Sequence, residues 1–410
     1  MKSIAVIGAG VVGLSSATFL QRAGFKVTLI DGMPAGSGAS YGNAGMISVD
    51  STVPIAMPGM LRKVPKWLMD PTGPLFVDPK YFTTALPWLL RWARAGRMDK
   101  VRTSSAALHA LHGQALVQYR ELLGQEHFND LIRTTGQIHI WDSPDESVTE
   151  RVARDLRDSQ GIVVQALTSD ELHDYVPELT RSIRRALFYP RNGNAVNPLR
   201  LMQTISRLFT DAGGSIVQQR VMRIFPEHGR FRVLTNMDDQ EFDRVVVAAG
   251  AWSKKLLQPL GLSFPLETER GYHIEIRRPN ITLNMPLLHK GRGFSASPME
   301  TGIRFAGTVE IAGLDAPPNE QRGRALLAHA KQLLPNLEFD TPKLWMGYRP
   351  SLPDSIPIID EATRHPGLYI ACGHGHTGLT AGAITGRLIS QLVAQSQTII
   401  DPVPYRMSRF

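Results

Sequence analysis

The sequence has one cysteine, Cys372, among 410 residues. An intrachain disulfide is therefore excluded, a Cys/His metal cluster is not expected, and nothing marks an oxidising compartment. The expected location is the cytoplasm. No uninterrupted apolar stretch reaches ~18 residues, so no transmembrane helix is expected. No long Lys/Arg run occurs, which argues against nucleic acid as a partner. The net charge of +8 instead suits an anionic substrate or an anionic membrane surface. Proline and glycine, at 28 and 36 residues, fall short of a disordered composition. What is present, 43% hydrophobic and 20% charged residues, suffices for two domains with cores.

Met1-Lys2 followed by an apolar run has the look of an export signal. Gly8, Gly10 and Gly13 interrupt that run and polar Gln21-Arg22 follows it, so the segment reads as a buried strand. Residues 3–7 are short, apolar and β-branched, as a buried parallel strand requires. Gly8-Ala9-Gly10-Val11-Val12-Gly13 follows, then a helix-compatible run to Ala23, then Gly24 as its stop. A second strand ends at Asp31-Gly32. Gly8 permits the tight turn, Gly10 lets backbone approach a pyrophosphate, and Gly13 lets helix pack on strand. The helix start offers free N–H groups to phosphate, and Asp31 can accept from a ribose hydroxyl. The pattern predicts a bound dinucleotide.

The segment after Asp31 separates FAD from NAD. Gly36 to Ser48 is a long run of small residues including Ser40, Asn43, Ala44, Gly45 and Met46. A simple NAD domain proceeds into another helix and strand. FAD needs a narrow passage lined by small side chains and backbone N–H groups, which this loop suits.

These pieces, with Val246 to Ser253, Gly347 to Asp354 and Gly373 to Thr380, make the sequence resemble the D-amino-acid oxidase superfamily. Within it, the D-amino-acid dehydrogenase small-subunit group is most similar. The resemblance runs over nearly the whole chain. It implies an α/β fold, with a Rossmann-like FAD-binding domain and a second α+β substrate domain on an antiparallel sheet. The expected division assigns 1–85, 150–225, 240–262 and 345–410 to the flavin domain and 86–149 and 263–344 to the substrate domain. It also implies that Val221 meets adenine and that Ala249, Gly250, Trp252 and Gly347 lie at FAD. Gly373, His374, Gly375, His376, Thr377, Gly378, Leu379 and Thr380 would place a helix N-terminus at the flavin. Two departures stand out. Asp31 replaces the family's usual Glu, and the segment near Val53–Pro58 is compressed.

Arg349 is the expected substrate-carboxylate partner, because a planar, permanently charged fork suits a carboxylate. The alternative is an Arg paired with Asp354. Tyr272 and His273 sit on an expected strand that either lines the pocket or packs in a sheet. His374 and His376 have no acidic or thiol neighbour at ligand spacing, so no metal is expected. One of them is expected to face flavin or substrate. Phe294 approaches the same place but cannot donate a hydrogen bond.

Residues 57–100 interleave Trp, Leu and Met with Lys and Arg, including Trp67 and Trp88. They suit either an amphipathic element on anionic lipid at the inner face of the plasma membrane or a helical cover over the pocket. The function implied is FAD-dependent oxidative deamination of a small amino acid of D configuration, by hydride transfer from Cα to flavin N5. Alternatives are proline-, hydroxyproline-, glycine-, sarcosine- or opine-type oxidation, and a non-catalytic flavoprotein subunit needing a partner subunit. The electron acceptor is open between a quinone, another carrier and oxygen.

Overall fold

The computed structural model describes residues 1–60, 64, 67 and 73–410. Its six-stranded sheet runs in the order Ser215–Gln218, Lys26–Asp31, Ser3–Ile7, Arg244–Val247, Leu368–Cys372, Ile358–Glu361. The first five strands are parallel and the last pair is antiparallel. Ser3–Ile7 reads as a continuous apolar run because both faces are covered. Ile4 and Val6 enter one core, and Ala5 and Ile7 enter another. Chain order reverses on either side of this strand, which opens a crevice at the strands' carboxyl ends.

The first helix, Val11–Arg22, and the last, Gly378–Ala394, cover one face. They touch through glycine. A Cβ on Gly382 would stand 2.5 Å from Val11, and one on Gly386 would stand 2.5 Å from the Ser15 backbone. This close crossing brings two helix N-termini side by side.

The second sheet has nine strands, with Glu267–Arg277 and Gly302–Ile311 as its longest pair. It is antiparallel except where Leu287–His289 meets Gln137–Trp141 and Leu75–Val77 meets Gly302–Ile311. Helix Glu320–Leu333 buries Leu326, Ala330 and Leu333 against Ile274, Ile276 and Phe305.

Two segments lie where the sequence division did not put them. Gln165–Leu167 and Arg185–Tyr189 hydrogen-bond into the nine-stranded sheet. Helices Met98–His112 and Ala115–Leu131 bury Leu111, Tyr119 and Leu122 in the core of the first and last helices. The physical reason is pairing over long separations, which local pattern does not encode.

Candidate active site

A cavity of about 1640 Å³ lies between the two sheets. All five parallel strands deliver their carboxyl ends to it, through Gly8, Asp31, Gln218, Ala249 and Cys372 among others, and Val221 lies just beyond the end of Ser215–Gln218. The residues expected at the cofactor line it, except Gly13, Gly45 and Gly373. Those three stand one layer behind. A Cβ on Gly13 would fall 1.7 Å from the Gly8 carbonyl oxygen, one on Gly45 2.8 Å from that of Ala195, and one on Gly373 2.2 Å from Leu352.

Gly8 has φ +105°, and a side chain there would also strike the Ala248 carbonyl. The turn it makes is tied to Asp31, whose Oδ2 accepts from the Ala9 N–H at 2.7 Å and whose Oδ1 accepts from Met33 N–H at 2.9 Å. Ser40 Oγ accepts from the Val11 N–H at 2.9 Å. The first helix starts at Gly10 and the last at Thr377, and neither is capped by a side chain of its own N-cap residue. Two partial positive ends therefore meet in one cleft. An elongated cleft with a wall of small residues, open helix N-termini and an acid at the end of the second strand fits FAD.

The small-residue loop is clamped from the second sheet. Arg304 Nη1 donates to the Tyr41 and Asn43 carbonyls at 2.8 and 2.7 Å, and Nη2 donates to Glu275 at 2.9 Å. Burial opposes the charge on Glu275, but hydrogen bonds and charge from Arg304 outweigh it and hold the carboxyl down to about 2.

At the other end, Arg349 stands opposite Glu269 on the neighbouring strand. Its guanidinium lies over Gly271, where a Cβ would come within 2.2 Å of it. Nη1 donates to the Thr308 carbonyl at 2.9 Å. Thr308 is β-branched yet has φ +59°, a conformation that costs about 1–3 kcal/mol. Burial works against the Arg349 charge, and the Glu269 carboxylate supports it. Asp354 is not its partner, because that carboxylate accepts from Arg409 Nε at 2.8 Å.

His376 lines the cavity and is exposed to it. Burial, then the charges of Arg349 and Lys290, push its pKa down to about 3, so it is neutral at ordinary pH. His374 is buried behind it and meets Thr385 Oγ1 at 2.9 Å. Tyr272 reaches the cavity wall, but its hydroxyl donates to Glu310 and accepts from Asn319 N–H at 2.8 Å. His273 does not line the cavity. Its ring stacks on Trp345 at 5.0 Å and Nδ1 meets the Gly42 carbonyl at 2.8 Å. Sequence reasoning missed Thr308, Gly271, Lys290 and Arg157. Only Gly271, between the strand residues Arg270 and Tyr272, left a local trace.

Helix Phe82–Ala95 covers the cavity mouth. Trp88 is buried and its Nε1 donates to the Ser351 carbonyl at 3.3 Å. Trp67 lines the cavity. Of the two readings of this segment, these tryptophans follow the helical cover over the pocket, not the lipid surface. Residues 61–63, 65–66 and 68–72, with several of the basic side chains in that expectation, lie outside the described residues. Among the described residues no helix is long and apolar enough to cross a membrane.

Residues 3–392 match the FAD dependent oxidoreductase family. The chain is 36% identical to a D-amino-acid oxidase of Bradyrhizobium diazoefficiens, covering 100% of this chain and 99% of that protein. It is 30% identical to a D-amino acid dehydrogenase of Dechloromonas aromatica, covering 95% and 96%. The fold matches glycine oxidase from Geobacillus kaustophilus with a TM-score of 0.74 at 22% identity, covering 100% of both chains. It matches L-proline dehydrogenase from P. horikoshii with a TM-score of 0.76 at 19% identity, covering 100% and 98%. With the cleft described above, these similarities establish that the chain belongs to the D-amino-acid oxidase superfamily and is an FAD-dependent oxidoreductase.

Proposed function

We propose that the enzyme oxidises the Cα–N bond of a small D-amino acid, giving an imino acid that water converts to an oxo acid and ammonia. The observation that carries this is Arg349. One donor is fixed on Thr308, and Nε and Nη2 have no hydrogen-bond acceptor among the described residues. That free edge suits a carboxylate. The D-amino-acid names of full-length relatives support the stereochemistry.

FAD, when bound, supplies the two-electron acceptor. Gly8 to Gly13 and the first helix would hold its pyrophosphate, and the Arg304-clamped loop would line its passage. Arg349 anchors the substrate carboxylate and so fixes the orientation of Cα. Neutral His376 adds no charge beside it and can accept a hydrogen bond from the amino group. The start of the last helix offers partial positive charge to an electron-rich group. Trp88 and Trp92 on the cover helix limit access of water.

Anaerobic bleaching of the visible flavin band by a panel of D-, L- and cyclic amino acids tests the reading. D-amino acids should bleach it. Bleaching by L-amino acids alone, or by none, would overturn the reading, while preference for D-configured prolines would move the substrate to the cyclic class. Oxygen consumption against quinone reduction identifies the electron acceptor.

We further propose that the cover helix rests peripherally on anionic lipid. Phe82, Leu86 and Leu90 are 44, 39 and 53% exposed and recur every four residues on one helix face, near Arg91 and Arg94. Flotation with anionic vesicles should carry the protein. A protein that stays at the bottom would end this idea.

A further inference from the structure

The cavity holds a second cationic place that Arg349 does not account for. Lys290 follows the strand Leu287–His289, and its backbone N–H donates to the Ile140 carbonyl at 3.0 Å, which fixes it in the turn. Its side chain projects into the cavity. Among the described residues no carboxylate lies at ion-pair distance from it, and its ammonium makes no hydrogen bond. Arg157, on helix Val148–Ser159, lines the same wall, also without an ion-pair partner among the described residues. Its guanidinium lies 5.7 Å from the ring centre of Tyr189.

The nearby carboxylates are already committed. Glu150 pairs with Arg185 at 3.2 Å, and Arg185 also stacks over Trp141 at 4.2 Å. Glu146 pairs with Arg154. His139, between Tyr189 and Trp141, is held neutral, first by burial and then by the charges of Lys290 and Arg157. The remaining balance on this wall is two cations.

Two unpaired cations on one cavity wall repel each other, and the walls limit their hydration. Burial, then Arg157, pushes the Lys290 pKa down, and Glu150 only partly offsets this. An arriving anion relieves both costs. The place shares its cavity with Arg349 and His376, and His376 feels the charge of Arg349 and of Lys290 alike. A molecule anchored at Arg349 lies in the cavity that Lys290 and Arg157 also line.

We propose that Lys290 and Arg157 bind a second carboxylate on the substrate, which makes the preferred substrate a dicarboxylic amino acid of the aspartate or glutamate type. This rests on Arg349 holding the α-carboxylate. The side-chain carboxylate then bridges the Lys290 ammonium and the Arg157 guanidinium. An amide isostere keeps the size but places an uncharged group between two cations, so the site discriminates by charge.

The test compares kcat/KM for D-glutamate and D-aspartate with D-glutamine, D-asparagine and D-alanine. At least one acid should exceed its own amide by about tenfold or more, since a charged site rejects the uncharged isostere. Lys290→Gln should cut kcat/KM for that acid at least about ten times more than for D-alanine, collapsing the acid-to-amide ratio. Arg157→Gln should shrink the same ratio by a smaller factor. Retention of the flavin spectrum shows that each variant is folded, and the agreement of two variants guards against a local defect. Amides that match or exceed their acids, or a ratio unchanged in Lys290→Gln, would overturn the proposal. Bleaching by D-alanine without bleaching by either dicarboxylate overturns this inference alone. No bleaching by any amino acid overturns the proposed function beneath it.

Discussion

The two ends of the cavity are built on different principles. The cofactor end is made of backbone: glycine turns, helix starts and a loop of small residues. The proposed substrate end is made of side chains borrowed from distant strands, with a strained threonine and two cations that have no ion-pair partner among the described residues. The first kind of site tolerates little because a single added methyl strikes backbone. The second tolerates more change in shape but depends on individual charges.

Substitutions at the two ends should therefore fail differently. The largest effect is expected at the cofactor end. Gly13→Val puts side-chain atoms where even a Cβ would lie 1.7 Å from the Gly8 carbonyl oxygen. The purified protein should carry almost no FAD, read from its visible absorbance against protein absorbance. Yellow protein of normal stoichiometry would contradict the close-packed turn.

Next is Arg349→Met, which removes the proposed partner of the substrate carboxylate. Loss of one member of a buried charged pair costs about 2–5 kcal/mol, so kcat/KM for the best amino acid should fall roughly 30- to 5,000-fold. The protein should remain yellow, which separates this failure from the first. Gly271→Ala is expected to be milder, because the long Arg349 side chain can shift away from a Cβ at 2.2 Å. A drop in kcat/KM of about tenfold is expected, mostly in KM, since Arg349 would leave its bond to Thr308. An unchanged KM would mean that the guanidinium does not rest on Gly271.

The smallest effect is a pH dependence of stability. His112, His273 and His374 are buried, and burial pushes their pKa values down to about 4, 3 and 3. In the unfolded chain they take up protons near pH 6.5, which the folded state refuses. Their contribution is thus complete above about pH 6.5 and is lost as pH falls toward 4 and 3. Each costs at most about 1.4 kcal/mol per pH unit in that window. Thermal midpoints measured from pH 7 to 5 should fall, and His112→Asn should flatten the curve. A midpoint that rises with acidity would contradict neutral buried histidines.

The same contrast explains what could be read in advance. The first strand, Gly8 to Gly13 turn, helix and Asp31 are contiguous, so their spacing carries their geometry. Arg349 drew attention by residue type alone; the alternative of a pair with Asp354 gives way to the Thr308 carbonyl, which local pattern did not announce. Gly382 and Gly386, spaced one turn apart, carried a signal for close helix crossing that went unused. Thr308 left no sign, because its left-handed backbone is imposed by the neighbouring strands. The positions of 165–189 and of helix Ala115–Leu131 were equally hidden, because both depend on partners far away in sequence. Lys290 is unremarkable until the turn places it beside Arg157.

The most direct test of the central claim is the anaerobic rate of flavin reduction by a D-amino acid and by its α-carboxamide, in the native enzyme and in Arg349→Met. The account predicts that the native enzyme is reduced about 100-fold or more faster by the acid, and that the variant loses this preference. Equal reduction by acid and amide in the native enzyme would show that Arg349 does not hold the carboxylate.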